Sequence, residues 1–189
     1  PETSTHRAVL LRGLERATDA VDSSGILEGA AAARQVLAPL IASGANSSAQ
    51  HFTAVGHAHI DSAWLWPLRE TRRKVVRTYS NVVALAEEYP DLHFACTSAQ
   101  HYQWLKEGSP EVFSRVKELI GSGQWDVVGG MWVESDTNLP SGEALVRQLT
   151  SGLRWMEREL GVRPDCLWLP DSFGYTGALP QIARLAGMR

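Results

Sequence analysis

The run Phe52-Thr53-Ala54-Val55-Gly56-His57-Ala58-His59-Ile60-Asp61-Ser62-Ala63-Trp64 opens as an apolar alternating segment and closes on side chains with metal-binding chemistry. Phe52, Ala54, Val55 and Gly56 predict a strand that leads into His57. Alternate positions of an extended chain point to one face, so His59 and Asp61 share a face and His57 joins them. Imidazole nitrogen and carboxylate oxygen are donor atoms for a divalent metal, and only two of the three need bind directly. The competing reading is that these residues cap the next helix and hydrogen-bond to backbone. For a lone histidine that reading is the better one. A cluster at a strand end reverses the balance.

Downstream, strands and helices alternate. A helix begins near Pro67, since proline suits a first turn, and carries Val75, Val76, Tyr79, Val82, Val83 and Ala86 as its apolar stripe. His93–Thr97 reads as the second strand. Ser109-Pro110-Glu111 reads as a helix start, with a stop at Gly121-Ser122-Gly123. Residues 125–129 read as the third strand. Ser141 caps a helix with Leu145, Leu149, Leu153 and Met156 on one face, and Gly161 ends it. Cys166–Leu169 reads as a fourth, continuously apolar strand, before a last helix with Leu179, Ile182, Ala183 and Leu185. Four β–α repeats imply a parallel sheet covered by helices, of barrel or part-barrel form.

Upstream lies a different pattern. Residues 5–22 and 26–42 carry apolar side chains at helical spacing, interrupted by Ser23-Ser24-Gly25, and Pro39 is expected to kink or shorten the second helix. Ser43–Ser48 is a linker of small polar residues. The fold class is therefore α/β: a helical hairpin and linker over residues 1–46, then part of a parallel β/α barrel-like catalytic domain over residues 51–189. A start at Pro1 and an end at Arg189 suggest an N-terminal fragment whose barrel is incomplete.

The chain has 189 residues, 44% of them hydrophobic, with a net charge of −3, which suits one sizeable soluble core. No basic cluster points to nucleic acid or an anionic membrane; Arg72-Arg73-Lys74 reads as a solvated helix face. No apolar run reaches the roughly 18 residues that span a bilayer. The two cysteines, Cys96 and Cys166, lie in predicted strands without Cys-x-x-Cys spacing, and read as reduced thiols in a cytoplasmic protein. An open sheet edge in an incomplete barrel invites homo-oligomers.

Reactive groups of parallel β/α folds gather at the C-terminal ends of strands. Strand one ends at His57–Asp61. Strand three runs into Gly129-Gly130-Met131-Trp132, then Glu134 and Asp136. Strand four ends at Pro170-Asp171-Ser172-Phe173-Gly174. Strand two ends more blandly, at Thr97–His101. Asp171 reads either as the cap of an Asx turn or as a carboxylate that binds metal, attacks substrate, or both. Its aromatic surroundings suit carbohydrate, whose C–H edges pack on aromatic faces. Of the seven tryptophans, Trp64 is placed to flank a ligand, while Trp104 and Trp155 read as core or helix-surface residues.

Three ordered motifs, Gly56–Trp64, Gly129–Asp136 and Leu169-Pro170-Asp171-Ser172-Phe173-Gly174-Tyr175, resemble the opening motifs of the α-mannosidases of glycoside hydrolase family 38. Residues 1–42 and Asn138–Glu143 resemble the bacterial and cytosolic branch. The resemblance implies a zinc-dependent, retaining exo-α-mannosidase that removes terminal mannose from oligosaccharides. It implies that His59, Asp61 and Asp171 bind Zn2+, and that Asp171 also attacks the anomeric carbon. It places Trp64 and Phe173 in the first sugar subsite, gives Asp136 either substrate contact or a structural role, and leaves His57 to orient a ligand. No acid/base residue and no fourth zinc ligand can be assigned at matching positions, so the chain alone is expected to bind zinc weakly and turn over no mannoside. Two other readings stay open: a metal-dependent amide hydrolase or deacetylase, and a non-catalytic fragment of an enzyme domain.

Overall fold

The computed structural model describes residues 5–44 and 50–189. Two compact units divide the chain, Pro1–Phe52 and Thr53–Arg189. The first is the expected helical hairpin, α1 (Thr5–Ser24) and α2 (Ile26–Ile41). Gly25 makes the turn between them at φ 78°, a value that suits glycine. The helices pack through small residues, with Gly13, Ala17 and Gly29 buried. α2 runs through Pro39 and ends two residues later at Ile41. The linker expected at 43–48 falls largely outside the described residues.

The second unit is built on three parallel strands, β1 (Gly56–His57), β2 (Phe94–Cys96) and β3 (Trp125–Val127), ordered as in the chain. Gly56 pairs with Phe94 and His57 with Ala95; Phe94, Ala95 and Cys96 pair with Trp125, Asp126 and Val127. α3 (Leu68–Glu88) connects β1 to β2. α4 (Ala99–Gly108) and α5 (Pro110–Ser122) connect β2 to β3. α6 (Gly142–Leu160) and α7 (Leu179–Leu185) follow.

The main core forms where α3 to α6 meet the sheet. Val75, Tyr79, Leu105, Val116 and Met156 are wholly buried there. Trp125 sits at its centre, with its ring centroid 4.8 Å from that of Phe94 and 5.1 Å from that of Tyr79, and its indole N–H donates to Tyr102 Oη at 2.8 Å. That bond satisfies the polar end of a side chain whose burial otherwise contributes strongly to the core. A second cluster joins Met131, Leu149, Leu153, Leu169, Leu179 and Ala183. α6 serves both clusters, so it ties the segment after β3 to the sheet. Its ends follow local chemistry: Ser141 Oγ accepts from Ala144 N, and Gly161 closes the helix at φ 72°.

Three expectations need correction. The first strand is short: residues 52–55 are not in the sheet, and pairing covers only Gly56 and His57. The segment 166–169 is not a strand. Only a single bond from Gly129 N to Cys166 O, 2.8 Å, links it to the segment after β3 among the described backbone bonds outside helices and strands. β3 stops at Val127, and Gly129 and Gly130 turn away at φ 84° and 68°, which leaves no straight edge for a ladder. Cys166 therefore lies outside a strand and is half-buried, whereas Cys96 is buried in β2; both thiols are free. Conversely, α4 is a helix where a bland strand end was expected.

Among the described residues, no helix is long and apolar enough to cross a membrane.

Candidate metal centre

His59 and Asp61 lie in the loop just beyond β1, and Asp171 lies in the loop 170–175. Their donor atoms come together, one from each residue, all within 4.8 Å of one another. His59 Nε2 is 3.2 Å from Asp61 Oδ1 and 3.4 Å from Asp171 Oδ2. The opposite nitrogen, Nδ1, lies 2.7 Å from Glu134 Oε2. With Nδ1–H donated to Glu134, the remaining Nε2 of a neutral ring points a lone pair at two carboxylates. That arrangement is unfavourable unless a proton or a metal cation sits between them. Burial opposes the charged imidazole, but the Glu134 and Asp61 carboxylates outweigh it and raise His59 above its ordinary value.

The donor set fits a zinc ion. One imidazole and two carboxylates are its ligand types, and three protein ligands leave a position open for substrate. Exposure points the same way. The side chain of Asp171 is 51% exposed, so a ligand can reach it. Trp64 and Phe173, on the loops that carry Asp61 and Asp171, are 59% and 87% exposed, which leaves ring faces free.

Other residues take different places. His57 is not part of the cluster: its Nδ1–H donates to Ala95 O at 2.9 Å, and its ring packs beside Trp168 at 5.5 Å. Its Nε2, like the Trp168 indole N–H, is buried with no partner among the described residues. The ring thus braces the end of β1 against β2. Asp136 also stands apart from the cluster. Its Oδ1 accepts from Asn138 N and Leu139 N, each 2.8 Å, and these bonds hold its carboxyl below the usual range. The turn so formed presents Thr137, which donates to Gly174 O at 2.9 Å. Tyr175 Oη donates to Leu169 O at 2.6 Å. The loop of Asp171 is therefore tied at both ends.

Two supporting residues escaped the sequence reading. Glu134 was recognised only as an acid on the rim, not as the partner of His59. His101, read only as part of the bland end of strand two, lies buried with Nε2 2.8 Å from Ser62 Oγ, next to Asp61 in the chain. The signal for both lay in Thr97–His101, where hydroxyl and imidazole groups follow directly on a buried strand.

A parallel β/α unit with imidazole and carboxylates gathered beyond its strand ends has the layout of β/α enzymes, whose reactive groups occupy that rim. The chain belongs to the glycosyl hydrolases of family 38, whose N-terminal domain matches residues 49–189. It is 46% identical over 135 residues to an alpha-mannosidase of Saccharomyces cerevisiae and 48% identical over 136 residues to alpha-mannosidase 2C1 of Homo sapiens. These stretches cover 71% and 72% of this chain but 12% and 13% of the relatives. An alpha-mannosidase crystal structure from Enterococcus faecalis V583 superposes with a TM-score of 0.65 at 26% identity, over 71% of this chain and 15% of that one. The chain thus spans a small part of the length of the proteins it matches.

Proposed function

We propose that residues 51–189 form the first part of the catalytic domain of a zinc-dependent, retaining exo-α-mannosidase acting on mannose-containing oligosaccharides. The observation that carries this reading is the cluster of His59, Asp61 and half-exposed Asp171 in a chain of family 38. His59, Asp61 and Asp171 would hold the zinc, which when bound supplies positive charge that grips and orients sugar hydroxyls. Trp64 and Phe173 offer apolar faces to the ring, and Asp136 shapes the neighbouring loop.

The chemistry of Asp171 follows from charge. Glycoside cleavage builds positive charge at the anomeric carbon, and a carboxylate held there stabilises it. An Asp171 oxygen bonds to that carbon as the glycosidic C–O bond breaks, and a second carboxylic acid protonates the leaving oxygen. Water, deprotonated by that same group, then hydrolyses the glycosyl ester with net retention. The three motifs do not assign the second carboxyl group. Buried Cys96, its thiol pushed up to about 12 chiefly by burial, and unpaired Cys166 suit a reducing cytoplasmic setting.

Trapping tests the reading. The intact protein is incubated with a fluorinated mannosyl fluoride, and its peptides are weighed. A mannosyl adduct on Asp171 supports the proposal. Release of acetate from an N-acetylated sugar, with Asp171 unmodified, would instead favour the amide-hydrolase reading.

A further inference from the structure

We propose that Glu134 is a positioning residue for this metal centre, holding His59 in the tautomer that turns its Nε2 lone pair toward the cation. The proposal rests on the metal reading above, and goes beyond it by naming what makes His59 a ligand.

Glu134 is the buried member of the acids around His59. Its side chain is 8% exposed, against 37% for Asp61 and 51% for Asp171. A buried carboxylate is costly unless its oxygens are hydrogen-bonded. Here both are used: Oε2 accepts from His59 Nδ1 at 2.7 Å, and Oε1 accepts from the Thr97 hydroxyl. Thr97 is 2% exposed and cannot be replaced by bulk water. The Glu134 backbone N–H donates to Ser98 Oγ at 3.2 Å, and Ser98 is 1% exposed. Ser98 has a φ of 65°, a strained value for a residue with a side chain, of the kind that persists where surrounding structure enforces it.

The backbone carrying Glu134 is equally constrained. Trp132 N donates to Gln148 O and Val133 N to Gln148 Oε1, both at 2.9 Å, from α6. On the other side, Ala99 N and Gln100 N at the start of α4 donate to Met131 O and Trp132 O, at 3.2 and 2.9 Å. The loop after β3 is therefore sewn to two helices before it delivers one carboxylate to one imidazole nitrogen. A neutral imidazole left to itself divides between two tautomers and rotates. Donation from Nδ1 removes that freedom, fixes the ring plane and makes Nε2 more basic, as carboxylate partners of metal-bound histidines do. The Thr97 hydroxyl fixes the carboxylate in turn.

The test uses the full chain with selectively 15N-labelled histidine; its six histidines are assigned by single substitutions. At alkaline pH, where the ring is neutral, wild-type His59 shows a protonated Nδ1 and a bare Nε2. Glu134→Ala loses that pattern, and its zinc affinity, measured by competition with a chromophoric chelator, falls about 10–100-fold. Glu134→Gln, which still offers an acceptor oxygen, recovers the tautomer and most of the affinity. A purely structural role would not give that rescue. If Glu134→Ala fails to fold, Thr97→Val decides: the proposal expects weaker zinc binding and a partly mixed tautomer, and wild-type values for both overturn it. Wild-type affinity and tautomer in a folded Glu134→Ala overturn it directly. Failure of the wild-type chain to bind zinc would sink the metal reading, and the tautomer alone would then decide the role of Glu134.

Discussion

Acid should loosen this domain through one buried histidine. His101 on α4 is 2% exposed, lies 2.8 Å from Ser62 Oγ and stacks on Trp104 at 5.9 Å. Burial, with a smaller contribution from the charge of His59, lowers it from 6.5 to about 4. Because the folded value is depressed, the unfolded chain takes up this proton first as the pH falls. The stability linked to His101 is complete above pH 6.5 and is lost between there and about pH 4, below which both states are protonated. At about 1.4 kcal/mol for each tenfold change in proton affinity, the loss is about 3 kcal/mol, a large share of the 5–15 kcal/mol that holds a typical domain together. The assay is urea unfolding at neutral pH and near pH 4, for wild type and for His101→Gln. Glutamine can bond Ser62 but does not titrate, so other acid-sensitive groups cancel in the comparison. The wild type should lose about 3 kcal/mol more than the variant. Equal losses would refute the reasoning.

Other outcomes follow from the same contacts. With no metal bound, the raised His59 value means that its stabilising contribution is full below pH 6.5 and fades as pH rises through the higher folded value, so zinc uptake near neutral pH should displace a proton; calorimetry in buffers of different ionisation enthalpy would detect it, and no buffer dependence would argue against it. A methyl group on Gly152 would meet Gly130 O at 2.3 Å and Met131 C at 2.4 Å, backbone atoms that cannot swing aside. Gly152→Ala should therefore cost about 1–3 kcal/mol in urea unfolding and weaken zinc binding by shifting the loop of Glu134; unchanged stability would contradict this. Asp136→Ala removes the acceptor for Asn138 N and Leu139 N, so amide exchange at 137–139 and 171–175 should quicken, and identical exchange would show that the turn does not hold the Asp171 loop.

The parts of this fold legible in the sequence are those set by local chemistry. α3, α5 and α6 announced themselves by apolar periodicity, a proline at a first turn, a Ser141 cap and a Gly161 stop. α4 was missed because its start lacks a side-chain cap: its first N–H groups bond to Met131 and Trp132 carbonyls some thirty residues away. The fourth strand failed for a related reason. Its apolar run marks burial, but a strand also needs an edge, and Gly129-Gly130 withdraws the one beside it. At the site, His59 and Asp61 were legible because parallel β/α folds gather such residues at strand ends, whereas Asp171 was legible from its motif alone, since no strand leads into it. The partition of roles around them was not. Whether an imidazole next to a carboxylate binds metal or braces a strand depends on long-range contacts, from Glu134 to His59 and from Ala95 to His57.

The most direct test of the account is where a metal sits. Crystals of the intact protein grown with zinc would be measured on either side of the zinc absorption edge. An anomalous peak is expected at about 2.0–2.2 Å from His59 Nε2 and from one oxygen each of Asp61 and Asp171, with His59 Nδ1 still on Glu134. A peak bound instead to His57, or none at this cluster in zinc-loaded crystals, would contradict it.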